Sequence, residues 1–173
     1  MIRRVLLHVP LLLLVLIAAS CATRTATAPV GASFVIVRHA EKANDDPKDP
    51  SLSEAGLARA QALAASLADA PLTAAYATAY RRTQMTAAPA AQAHGLTVVT
   101  YDAKQSPTDF AAQLRRTHGQ GTVLVVGHSN TASEIAAALC ACTVAPMHDD
   151  EFDRLLTIRI DATGTAKLSE TRY

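Results

Sequence analysis

Two histidines in this chain each follow an apolar run: Val35-Ile36-Val37-Arg38-His39 near the start and Val123-Leu124-Val125-Val126-Gly127-His128 far along it. A neutral imidazole attacks electrophiles near neutral pH, and a protonated one pairs with anions. Arg38 stands beside the first histidine, and Arg81 and Arg82 fall between the two. Guanidinium groups grip oxyanions through paired N–H donors. Two imidazoles with two or three guanidiniums make a strongly anion-seeking set, and a phosphoryl group fits it. Glu41 and Asp102 add carboxylates that could move protons.

These groups can act together only if the fold brings them to one place. Both runs read as buried strands that deliver an imidazole to their C-terminal ends. In open parallel α/β sheets that edge is where ligands bind. After the first strand, residues 40–50 are polar, with three Asp and two Pro. Ser51-Leu52-Ser53-Glu54 then supplies capping side chains for a helix from about Ser53 to Ala68, with Leu57, Ala60, Leu63, Ala64 and Leu67 at helical spacing. A strand is expected over Leu72–Ala77, a helix over Arg81–Ala93 that Pro89 should end or kink, and a strand over Leu96–Tyr101. Ser106-Pro107-Thr108-Asp109 starts a third helix, Gly121–Gly127 is a fourth strand, and Thr131-Ala132-Ser133-Glu134 opens a helix through Leu139. Leu155–Ile160 and Thr165–Thr171, joined by Asp161-Ala162-Thr163-Gly164, read as a hairpin. The expected fold is a three-layer α/β/α sandwich, its sheet mainly parallel with a C-terminal antiparallel hairpin.

The motifs carry a family resemblance. Arg38-His39-Ala40-Glu41, Leu52-Ser53-Glu54-Ala55-Gly56, Arg82-Thr83-Gln84-Met85-Thr86-Ala87 and Gly127-His128-Ser129-Asn130-Thr131 follow one another in the order of the histidine phosphatase, or phosphoglycerate-mutase-like, superfamily, from about Phe34 to Leu139. The chain resembles a small branch of it. The resemblance implies that His39 is the nucleophile that becomes a phosphohistidine, with Arg38, Arg82 and His128 around the phosphoryl oxygens. It implies no cofactor and no metal, because arginines bring the positive charge. In many members the proton donor is a carboxylate after the third strand, where this chain has Asp102; Glu41 is the rival. Ala40 stands where Gly is frequent, and Asn44 lies one position short of the asparagine of mutase-type members. The short connections leave little room for insertions over the substrate, so an open site is expected.

The leading expectation is therefore a phosphatase acting on phosphate monoesters or a phosphorylated macromolecule. Mutase-type phosphoryl transfer and a non-catalytic phosphate-binding module are the alternatives. A zinc hydrolase finds no His-Glu-x-x-His helix here. Asp149, Asp150 and Glu151 read as a solvated turn, and His94-Gly95 and His118-Gly119 as helix ends.

The N-terminus has a separate logic. Arg3 and Arg4, an apolar run from Val9 to Ala19 and small residues before Cys21 describe an export signal over residues 1–20. Ala18-Ala19-Ser20-Cys21 resembles a bacterial lipobox, which makes Cys21 the lipidated N-terminus of an exported, periplasmic protein anchored to the outer membrane. Residues 21–33 form a tether, and residues 34–173 the domain. Without Arg3 and Arg4 the chain has 14 basic against 15 acidic residues, which argues against a nucleic-acid partner. The expected partners are a phosphorylated substrate and, through the lipid, a membrane. Cys140 and Cys142, one residue apart, are expected as free buried thiols, because so tight a ring is disfavoured.

Overall fold

Strand β1 (Ala32–Arg38) shows how the sequence builds the molecule, because both of its faces are apolar. Phe34 and Ile36 point into one core with Tyr76, Phe110, Leu114, Val123, Ile135 and Leu139, while Val35 and Val37 enter a second core with Leu63, Leu67, Ala75, Ala87, Ala90 and Leu124. A strand buried on both sides needs a layer on each side, hence three layers. In the computed structural model, which describes residues 31–173, α1 (Glu54–Ser66) and α2 (Arg81–Ala93) cover one face. The other face is covered by α3 (Pro107–Thr117) and α4 (Ser129–Cys140).

The six-stranded sheet has the order β3-β2-β4-β1-β5-β6. Strands β2 (Leu72–Ala77), β3 (Val98–Thr100) and β4 (Gly121–Gly127) join β1 in parallel, and β5 (Arg154–Ile160) with β6 (Ala166–Arg172) adds the antiparallel hairpin. The pairings Arg38↔Gly127 and Ala77↔Val126 put the ends of β1, β4 and β2 side by side.

Several boundaries differ from the sequence pattern for physical reasons. Ala32 and Ser33 pair with Gly121 and Thr122, so they belong to the sheet rather than to the tether. The export signal, Cys21 and the tether through residue 30 lie outside the described residues. β3 is shorter than Leu96–Tyr101 because it is an edge strand held only by the β2 pairings Ala75↔Val98 to Ala77↔Thr100. α2 continues through Pro89 to Ala93. Ala87, Ala90 and Ala91 are fully buried against the sheet, and that packing outweighs the roughly 3 kcal/mol an interior proline costs. Several contact residues of this layer, Ala75 and Ala77 among them, are equally small.

The expectation of free thiols is overturned. Cys140 and Cys142 form a disulfide, with Cα atoms 5.1 Å apart. Ala141 between them takes a left-handed conformation at the end of α4, which turns the chain back so that both sulfurs face each other.

Candidate active site

The C-terminal edge of the sheet collects the groups that the motifs named. His39 follows β1 directly, and its backbone N–H donates to the Gly127 carbonyl at 3.0 Å, tying the nucleophile candidate to the end of β4. Its ring is 4% exposed. The Nδ1 lies 2.8 Å from the Ala40 carbonyl. A carbonyl only accepts, so Nδ1 carries the proton and Nε2 keeps a free lone pair. Burial first, then the charges of His128, Arg38 and Arg82, push its pKa down to about 3, against the raising effect of the Ala40 bond. The imidazole is neutral, as a nucleophile requires.

His128 begins α4 and sits 5.5 Å from His39, centroid to centroid. Its Nε2 is 3.1 Å from Thr78 Oγ1, and its backbone N–H donates to Thr131 Oγ1. Burial, with Arg82 and Arg38 adding, lowers its pKa to about 4. In the free protein His128 is therefore neutral rather than a ready cation, and a dianion beside it would raise its proton affinity.

The two arginines approach from different elements. Arg38 ends β1, is 6% exposed, and donates from Nη1 to the carbonyls of His148 and Asp149 at 2.9 Å each and of Glu151 at 3.4 Å. Its guanidinium lies 4.2 Å over the Phe152 ring. Arg82, in the first turn of α2, lies 4.4 Å over the Tyr80 ring and 3.9 Å from Asp49 Oδ1. Among the described residues, the buried side-chain nitrogens and oxygens without a hydrogen-bond partner are Arg38 Nε, Arg82 Nε and Ser133 Oγ. Two of these three orphans are guanidinium donors of the same cluster. Buried unsatisfied donors are rare in native structures.

The two carboxylate candidates sit differently. Glu41 is held by Arg59 of α1 through three contacts of 2.6 to 2.9 Å, which lowers its pKa below the ordinary carboxylate value. A carboxylate so committed suits fixing the chain after His39 rather than donating a proton. Gly56 completes this anchor: a Cβ there would stand 2.3 Å from the Glu41 carbonyl, so only glycine lets α1 pass so close. Asp102 lies at the same edge but is exposed, and its carboxylate accepts the Lys104 N–H of its own turn. It follows β3, three strand spacings from β1, or about 14 Å. Arg81 is exposed and pairs with Asp45.

Several residues at the site escape sequence reasoning. Thr78, fully buried after β2, meets His128 and Thr83. Thr86 accepts the Ala40 N–H at 2.9 Å and so ties α2 to the residue after His39. Asp49 caps α2 by accepting the Arg81 N–H. The segment 148–151, read as a solvated turn, supplies the carbonyls that hold Arg38, and a backbone role leaves no side-chain signature. Within it Glu151 pairs with Arg172, while Arg154, buried at 5%, grips Ala145, Pro146 and Glu170. Among the described residues no cluster of three or more His, Cys, Asp or Glu is arranged to hold a metal ion, and no helix is long and apolar enough to cross a membrane.

Comparison with known proteins agrees with this geometry. Residues 34–105 match the family model described as histidine phosphatase superfamily (branch 1). That match covers Arg38, His39 and Arg82, and the fold itself carries His128 to them. The chain is similar to the protein histidine phosphatase SixA solved with tungstate, at 17% identity and TM-score 0.65, with 81% of this chain and 96% of that one covered. A mycobacterial glucosyl-3-phosphoglycerate phosphatase gives 15% identity, TM-score 0.64, and 80% and 97% coverage. A phosphoserine phosphatase from Entamoeba histolytica gives 12%, 0.61, and 82% and 97%. At these identities the likeness is one of fold. No curated protein matches the chain.

Proposed function

We propose that this chain, whose residues 34–105 match the histidine phosphatase superfamily model, hydrolyses phosphate monoesters, or the phosphoryl group of a phosphorylated macromolecule, through a phosphohistidine on His39. The observation that carries the reading is the convergence of Arg38, Arg82 and His128 on a buried, neutral His39 at the C-terminal edge of the sheet, with His128 5.5 Å from it, ring centroid to ring centroid.

In the first step the Nε2 lone pair attacks phosphorus. The bond to the leaving group breaks, its electron pair departs with the leaving atom, and that atom takes up a proton. In the second step water attacks phosphorus, the electron pair of the N–P bond returns to Nε2, orthophosphate leaves and a proton is released. Arg38, Arg82 and His128 stabilise the equatorial oxygens in both steps, supplying the charge that a metal ion would otherwise bring. The export signal and the lipobox-like Ala18-Ala19-Ser20-Cys21 support an exported lipoprotein as the setting. Labelled palmitate on the wild type and none on Cys21→Ser is the expected result; equal labelling would remove Cys21 as the anchor.

The test of the chemistry is chemical trapping. During turnover of a labelled phosphate ester, His39 should carry an acid-labile, base-stable phosphoryl group, and His39→Ala should lose both label and activity. Full activity in that variant would end this reading.

A further inference from the structure

The phosphate-binding arginines are each backed by an aromatic ring, and neither ring is needed for the chemistry above. Tyr80 lies under the Arg82 guanidinium at 4.4 Å and meets His128 edge-on at 5.3 Å. It is 39% exposed, one of three large apolar or aromatic side chains so open among the described residues. Phe152 lies under Arg38 at 4.2 Å and tilts toward His39 at 6.4 Å. It is half-buried. The two rings come from different elements, the start of α2 and the segment before β5, yet each touches one arginine and one histidine of the site. The two rings therefore flank the four residues proposed to hold a phosphoryl group.

From this arrangement we infer that Tyr80 and Phe152 are specificity-determining residues that select a flat, aromatic leaving group over an aliphatic one; the inference rests on the phosphatase reading and deepens it. An exposed aromatic ring costs little entropy to use, because its cation contact already fixes it, and it offers a stacking or edge contact to another π system. A saturated ring or alkyl chain gains only the apolar contact. The carboxylates point the same way. Glu41 is committed to Arg59 and Asp102 to its own turn. With neither of these two carboxylates free to donate a proton, the site is suited to a group that departs without one, as an aryl oxygen or an azole nitrogen does. Bond making and breaking are those written above; only the departing group is specified.

The experiment compares phenyl phosphate with cyclohexyl phosphate, similar in size and different in flatness. The intrinsic difference between the two leaving groups cancels when each variant's ratio of kcat/KM values is divided by that of the wild type. Tyr80→Leu and Phe152→Leu in the full chain should each lower the phenyl preference by roughly threefold to tenfold, chiefly through KM. Tyr80→Phe and Phe152→Tyr should keep it. Inhibition by orthophosphate serves as the control for the arginines. If the leucine variants lose both substrates equally and orthophosphate inhibition weakens in step, the rings merely support the guanidiniums and the inference is overturned. An unchanged preference with unchanged inhibition overturns it as well while leaving the phosphatase reading intact. Turnover of neither ester by the wild type overturns the inference, and the trapping of a phosphoryl group on His39 then decides the phosphatase reading separately.

Discussion

Lowering the pH from 7.5 to 5 should cost the protein about 4 kcal/mol of stability at two residues alone. In the unfolded chain His39 and His128 take up protons as the pH falls through 6.5, whereas in the fold they stay neutral until about 3 and about 4. Between those values the unfolded state binds more protons. The stabilising share is therefore complete above 6.5 and is lost progressively as the pH drops toward the folded values. At pH 5 each imidazole costs about 2 kcal/mol relative to pH 7.5. Urea unfolding of the full chain at pH 7.5, 6 and 5 measures the sum. His39→Asn and His128→Asn isolate the parts, since each should shrink the pH-dependent loss by about 2 kcal/mol, whatever it does to stability at pH 7.5. Burial of His118 acts in the same direction but is common to parent and variants, and so cancels. Identical losses in parent and variants would refute the argument that burial beside two arginines keeps both rings neutral.

Arg38→Ala and Arg82→Ala should each lower kcat/KM by roughly a hundredfold or more and weaken vanadate inhibition, as expected when a preorganised donor is lost; wild-type rates would remove them from the phosphate pocket. Asp102→Asn should change the ratio of alkyl to aryl phosphate turnover by less than about threefold, because a selective loss on alkyl substrates requires an acid at the leaving atom. Glu41→Gln should lower turnover of both substrate types equally by loosening the chain after His39, and a loss confined to alkyl phosphates would instead make Glu41 the acid. Cys140 and Cys142 should resist alkylation until a reductant is added, and alkylation of both without reductant would refute the disulfide.

What the sequence made legible follows from how local each signal is. The run Val35-Ile36-Val37 read as a buried strand, and the alternation of strands and helices after it implied a sheet covered on both faces. The capping side chain of Ser53 placed α1 within a residue of its start, since its Oγ does accept the Gly56 N–H. The four motif residues His39, Arg38, Arg82 and His128 were readable because each sits next to an element end that its neighbours announce. Thr78 was not, because a threonine beside a strand has many ordinary roles and only the register Ala77↔Val126 brings it to His128. Nor was the hold on Arg38, which uses backbone carbonyls that any residue could supply. The disulfide was missed for a related reason: one left-handed residue, Ala141, reverses the chain, and alanine gives no warning of that conformation.

The alanine layer between α2 and the sheet reverses the usual sense of mutational risk. In a core of Leu and Phe the damaging change is truncation, but Ala87, Ala90 and Ala91 have almost nothing left to remove. Every common replacement there adds volume, and overpacking costs roughly 1 to 3 kcal/mol. The helix they belong to also carries Arg82 and Thr86, so one extra methyl at Ala90 would shift the Arg82 guanidinium and the tether of Ala40 together. The tolerance of this domain to substitution is thus limited from beneath its candidate site, where a single buried methyl would reach residues that contact His39 and His128.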